Sequence, residues 1–256
     1  MNPLVGLMRG FVVDFFNRND VSRCCELMVD DYTLRVGDAV ISGRDEHYRP
    51  AVQAQFYQFP GLGMTVHGLV VGEAQVALHF SEHGASGGRS ACWSGIALYT
   101  SNGTQLSGCV AVEDYAARRR QLTTGAVDPV DPPMAAPWDT SPGAPDPAAE
   151  SLVRRWLADP AHVAATGVAF DDEHIVGAAA IGFDVTATEV TDMFSAGPYV
   201  AFHVRQRGTA ADATGSAAPR TGVMCSAGIV EVIDGSISRG RIIRDRAGLR
   251  RSLSPT

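Results

Sequence analysis

The chain contains no lysine: all 21 of its basic side chains are arginine. A GC-rich coding sequence accounts for that without a functional cause. Acids outnumber the arginines, and the formal net charge is −7 over 256 residues. With no basic block, neither nucleic acid nor an anionic membrane is expected as a partner. No apolar run reaches the roughly 18–20 residues that a membrane-spanning helix needs, so no such segment is expected. The opening stretch "MNPLVGLMRGFVVDFFNRND" lacks the cationic start and small-residue cleavage site of a secretory signal. Cysteine is scarce. Cys24, Cys25, Cys92, Cys109 and Cys225 are odd in number and show no C-x-x-C spacing. They read as reduced core thiols of a cytoplasmic protein, not as a disulfide framework or a zinc ribbon.

What is present is material for a core. Hydrophobic residues make up 45% of the chain, enough for one core or two small ones. Residues 123–149, "TTGAVDPVDPPMAAPWDTSPGAPDPAA", are dense in proline and resist helix and sheet alike. They read as a linker between a domain at 1–122 and a second at 150–256. Trp138 inside the linker predicts that it packs against a domain instead of floating free.

In the first piece Leu4, Leu7, Met8, Phe11 and Phe15 recur at helical steps. "NRND" closes that helix, and Asp20 is placed to cap a second over "VSRCCELM". Two short strands follow around a Gly-Asp turn, then a third helix over "RDEHYRPAVQAQFYQF". The period then changes to two. "GMTVHGLVVG", "AQVALHFSEHG", "RSACWSGIALYTS" and "TQLSGCVAVED" read as an antiparallel meander. Helices followed by strands predict an α+β layer. The second piece repeats the order in worn form: "VALHFSEHG" aligns without a gap on "VAFHVRQRG", placing His79 on His203 and His83 on Arg207. "VEDYAARRRQL" reappears as "IRDRAGLRRSL", so Asp114 falls on Asp245 and the period is near 124–131 residues. The stretch "AFDDEHIVGAAAIGFD" gives no clear third helix in this half.

"LMVDDYTLRVGDAVISGRDEHYRPAVQAQF", "FPGLGMTVHGLVVGEAQVALHFSEHG" and "GIALYTSNGTQ…VEDYAARRRQL", in that order, resemble the SnoaL-like branch of the nuclear-transport-factor-2-like superfamily. The match covers almost all of 4–122 and, in 150–256, the four strands and the terminal phrase. The resemblance implies two cone-shaped α+β barrels in tandem, each a curved antiparallel sheet wrapped around helices with an apolar pocket at one end. It implies a cofactor-independent acid/base enzyme acting on a small hydrophobic molecule, as polyketide cyclases do by aldol-type closure or isomerisation. Epoxide hydrolases of the same fold, and non-catalytic binders or scaffolds, are the alternatives. The second cone is expected to be degenerate and to stand as an intramolecular pseudo-dimer partner, with further homo-oligomers open.

The candidate residues are polar groups expected on the inner face of the sheet. Asp114 matches the acid/base aspartate of SnoaL-type cyclases, yet its place before "YAARRRQL" also suits a helix cap. His67 and His79 lie on adjacent strands, and Gln75, His79 and His83 share a face by parity. Together with Asp38 at the first hairpin turn they form the expected catalytic set Asp114, His79, His67 and Asp38. Trp93 and Tyr99 are a pocket wall or an outer contact face, and with His83 the expected substrate contacts. The histidine spacing lacks the H-x-x-x-H of a zinc helix, so no metal is expected, and the resemblance implies no cofactor. The tyrosine and acid of a ketosteroid isomerase oxyanion hole align with Val12 and near Ala97, which argues against strict steroid isomerisation.

Overall fold

The computed structural model describes residues 2–159, 163, 167–170, 182–210 and 220–253. The Asn2 side chain accepts from the Leu4 amide at 2.9 Å and opens α1 (Pro3–Arg9), which widens into a π-type turn through Gly10–Phe16. Asp20 accepts from the Ser22 amide and starts the short turn that leads into α2 (Cys24–Leu27). Strands β1 (Met28–Val36) and β2 (Ala39–Ser42) form a hairpin, and α3 (Arg49–Gln58) carries Pro50 in its first turn, where a missing amide costs nothing. The meander β3 (Gly63–Val71), β4 (Gln75–Ser86), β5 (Arg89–Ser101) and β6 (Leu106–Glu113) follows, and α4 (Tyr115–Thr124) ends the unit.

The strand order is β2-β1-β6-β5-β4-β3. The sheet is mixed, which corrects the wholly antiparallel expectation: β1 runs parallel to β6. Parallel neighbours need a long connection between them, and here the whole of α3 and the meander supplies it. One face of the sheet packs on α1 and α3. Parity assigns the residues: Val76, Leu78 and Phe80 of β4 join the helices' Phe11, Phe15 and Phe56 in one core, while Ala77 faces the other way.

The second half repeats the plan. After α5 (Pro147–Leu157), β8 (Phe183–Ala196), β9 (Tyr199–Ala210), β10 (Arg220–Ile233) and β11 (Ser236–Arg244) form a meander, with a short β7 (Ala169–Phe170) parallel to β11 and α6 (Arg246–Leu253) at the end. Residues 171–181 of "AFDDEHIVGAAAIGFD" lie outside the described residues. The two sheets pack face to face. Val70, Ala77, Ile96, Leu98 and Val112 meet Phe194, Ala196, Ala201, Cys225, Ala227 and Ile243 in a shared core.

The proline-rich segment between them is tied down. The Met134 amide donates to Val66 O and the Gly143 amide to Val71 O, both at 2.8 Å, along the edge of β3. Met134 and Trp138 pack on the first core. Cys24, Cys92, Cys109 and Cys225 are buried free thiols, but Cys25 is exposed and is not the core residue expected. Among the described residues no helix is long and apolar enough to cross a membrane.

Candidate functional site

The expected histidines come together, but on the face of β3 and β4 turned away from the helices. His67 Nε2 and His83 Nε2 each stand 2.8 Å from Ser81 Oγ, and His67 Nδ1 lies 3.0 Å from Pro132 O in the linker. A carbonyl only accepts, so His67 Nδ1 carries the proton. Ser81 Oγ bridges the two Nε2 atoms, its hydroxyl donating to one and accepting from the other. The His79 ring centroid is 5.1 Å from that of His67. Burial, then the His67 and Arg241 charges, push His79 down to about 3, against the pull of Asp131 at 3.6 Å. These histidines therefore do not line the interior of a cone, as expected of them. They face the second sheet and the linker.

Asp114 is committed elsewhere. Its Oδ1 accepts from the Ala117 amide at 3.0 Å, capping α4, and its Oδ2 pairs with Arg246 of α6, where both side chains are buried. Asp245 caps α6 in the same way, accepting from the Gly248 amide at 2.6 Å. Asp38 sits on the exposed β1–β2 turn, 3.4 Å from Arg205 of the second sheet. Neither aspartate reaches the histidines or the helix-covered face of the sheet, so the four expected catalytic groups do not form one site. Trp93 and Tyr99 do face the helices. Trp93 packs on Phe59 at 5.6 Å between ring centroids, and Tyr99 meets Phe11 edge-on at 5.2 Å.

The helix-covered face holds a pair that the sequence reading missed: Glu82 on β4 and Glu113 on β6, both buried. β5 separates them, with Trp93 opposite Glu82 and Gly95 opposite Glu113. Gln55 Nε2 donates to Glu82 at 3.0 Å, and Trp93 Nε1 donates to Glu113 at 2.9 Å. Tyr115 lies beside Glu113 and, with Trp93, partly offsets the effect of burial on its carboxyl. The Arg118 guanidinium lies 5.4 Å from the Phe59 ring centroid, 5.1 Å from that of Trp93 and 4.2 Å from that of Tyr115, and its charge acts on both acids. Burial raises both carboxyls, Glu82 well above the usual range. Two carboxylates in mutual reach of one cation hold a proton that isolated glutamates would lose. The parity of Glu82 with Leu78 and Phe80 was the available signal.

A SnoaL-like domain family model matches residues 9–109. The matched residues form a SnoaL-like domain. Solved structures similar to the chain include IdmH, a candidate polyketide cyclase from Streptomyces antibioticus, at 19% identity over 48% of this chain and 100% of that one, with TM-score 0.43. A candidate SnoaL-like polyketide cyclase from Jannaschia sp. CCS1 is 16% identical over 48% of this chain and 92% of its own, at TM-score 0.44. AclR, a candidate hydroxylase from Streptomyces galilaeus, is 16% identical over 46% of this chain and 93% of its own, at TM-score 0.42. No curated protein matches the chain.

The second half supplies an internal control for the SnoaL-like domain. By the alignment that sets His79 on His203, Glu82 falls on Gln206; by the one that sets Asp114 on Asp245, Glu113 falls on Arg244. The capping aspartate is common to both halves, and the buried acid pair belongs to the first half alone. The fold forms without that pair. No group of three or more metal-ligating side chains with suitable placement occurs among the described residues.

Proposed function

We propose that the chain is a cofactor-independent acid/base enzyme for a small hydrophobic molecule, of the polyketide-cyclase kind, with Glu82 and Glu113 as its proton-handling pair. The observation that carries this reading is a buried carboxylate pair which the same fold dispenses with in the second half. Retaining two desolvated acids is costly unless they are paired or used.

Their surroundings assign the roles. Glu113 accepts from Trp93 and has the Tyr115 phenol beside it, which together favour its ionised form, whereas Glu82 has Gln55 alone among the neutral donors. Glu113 is therefore the base and protonated Glu82 the acid. In an aldol-type closure Glu113 takes a proton from the carbon next to a carbonyl. As the new carbon–carbon bond forms, Glu82 gives its proton to the oxygen of the second carbonyl. Opening an epoxide uses the same pair, with Glu113 activating the attacking hydroxyl and Glu82 protonating the ring oxygen. Arg118 lies across the aromatic rings over the pair and must swing out to admit a substrate.

A specific observation favours a second reading, a non-catalytic binder or scaffold: the helix-covered face is filled by side chains such as Phe15, Phe59 and Trp93, all fully buried. A nitrobenzisoxazole, whose ring opens on loss of one proton to a base, separates the two. The enzyme reading expects turnover above buffer that falls at least about 100-fold in Glu113→Gln, the lower range for a general base. Equal rates for wild type and variant would establish the binder reading instead.

A further inference from the structure

We propose that the cleft between the two sheets, walled on one side by the linker, binds a small, neutral, mostly apolar molecule that presents one hydroxyl or carbonyl to His79. This site lies on the opposite face of the sheet from the Glu82–Glu113 pair and does not depend on it. The cleft encloses about 460 Å³, within the range of small-molecule sites. Leu69 and Val70 of β3, Ile229 and Val230 of β10 and Met134 of the linker give it apolar walls.

The chemistry of the occupant follows from the polar groups at its edges. Arg241 is held by Asp131 at 2.6 Å and Arg239 by Glu231 at 2.7 Å. Each cation already faces a carboxylate, so the cleft offers little to a charged ligand. His79 is different. It lines the cleft with its side chain 12% exposed, and its Nε2 is buried without a hydrogen-bond partner. Buried polar atoms are normally satisfied, and a ligand hydroxyl or carbonyl would satisfy this one.

The duplication sharpens the assignment. His203 and Thr191 line the matching position on the second sheet, in a cleft of about 290 Å³ with Arg35, Gly37 and Asp38. There Thr191, which replaces His67, approaches His203 Nδ1 at 2.5 Å, and His203 Nε2 is buried without a partner as His79 Nε2 is, so the two clefts differ in their walls and not in the histidine. The linker passes over only the His79 side, where Met134 and Thr140 contribute lining. Two related clefts exist, and one has been given a further wall and an apolar interior.

Fluorescence titration of the full chain with naphthol, and in parallel with naphthalene, tests this. Wild type is expected to bind naphthol at one saturable site. His79→Phe keeps the ring and removes the nitrogen. It should weaken naphthol about tenfold, the scale of one buried hydrogen bond, and leave naphthalene unchanged. His203→Phe should change neither. Met134→Trp, which fills the cleft, should abolish both; if that variant does not fold, His79→Phe carries the test alone. Absence of saturable naphthol binding, or equal weakening by His203→Phe, overturns the proposal. So does loss of naphthol binding in Glu113→Gln, which would put the ligand among the helices and leave the acid/base reading standing.

Discussion

At Asp114 one carboxylate does two structural jobs: a cap for α4 and a buried ion pair to Arg246, whose side chain is 8% exposed. Removing one partner of a buried pair strands the other charge, which costs about 3–5 kcal/mol. Asp114→Ala should therefore lower the unfolding free energy by about that much, while Asp114→Asn, still able to cap, loses less. Denaturant melts measure both, and nitrobenzisoxazole turnover of the folded Asp114→Asn protein should stay near wild type. The acid pair gives a pH signature. Its folded pKa values are raised, so the folded state keeps protons that the unfolded chain releases above about 4.5. Stability contributed in this way is full below 4.5 and is lost as pH rises toward the folded values. His79 and His203, held down to about 3 and about 4, act in the opposite sense below 6.5. The difference between wild type and Glu82→Gln cancels the histidines. Wild-type stability should fall relative to the variant as pH rises from 4.5, and a flat difference curve would show that Glu82 is not protonated in the fold. The capping phrase was legible in the sequence because caps are local. Which face of β4 points inward was not, because both faces are buried, one by helices and one by the second sheet. A strand covered on both sides loses the polar–apolar alternation that reveals its inside.

Among the elements, the central strands depend on two glycines. Gly95 on β5 lies opposite Phe80, and Gly228 on β10 lies opposite Phe202. Atoms of the Phe80 ring would stand 2.8 and 2.9 Å from a Cβ at Gly95, and the Phe202 ring would crowd one at Gly228 in the same way. Each glycine makes room for a phenylalanine laid across the neighbouring strand. Gly95→Ala and Gly228→Ala should each cost about 1–3 kcal/mol by overpacking. Adding Phe80→Leu to Gly95→Ala should recover part of that loss in a double-mutant cycle; additive effects would show that ring and glycine are not coupled. Strands, turns and most helices were readable from period and punctuation. The parallel pairing of β1 with β6 was not, since nothing local to β1 specifies a neighbour some 70 residues away. The linker was readable as proline-rich, but its hydrogen bonds to the edge of β3 depend on that edge being open, which is a property of the finished sheet.

Over the whole molecule the two halves are joined by more than the peptide chain. Ile96, Leu98 and Val112 of the first sheet are buried against Ala201, Ala227 and Ile243 of the second. Polar contacts cross as well: Asp114 to Arg246, Gln75 to Asp192 at 3.2 Å, and Asp38 to Arg205. The linker adds a strap, because its Met134 and Gly143 amides bond to β3 while it leads into α5. Exposed residues 123–127 precede the strapped part. A protease site introduced between Gly125 and Ala126 would therefore leave the strap attached to the second half and still lying on the first. After cleavage the two pieces should elute together in gel filtration, and their melting temperature should become concentration-dependent, as for any two-chain complex. Ile96→Asp, which buries an unpaired charge in the shared core, should separate the cleaved pieces. Separation of the unmutated pieces under native conditions would mean that the linker, not the sheet–sheet core, holds the halves in place. The inter-sheet cleft would then lose its fixed wall, so this cleavage test bears on the His79 site as directly as on the architecture.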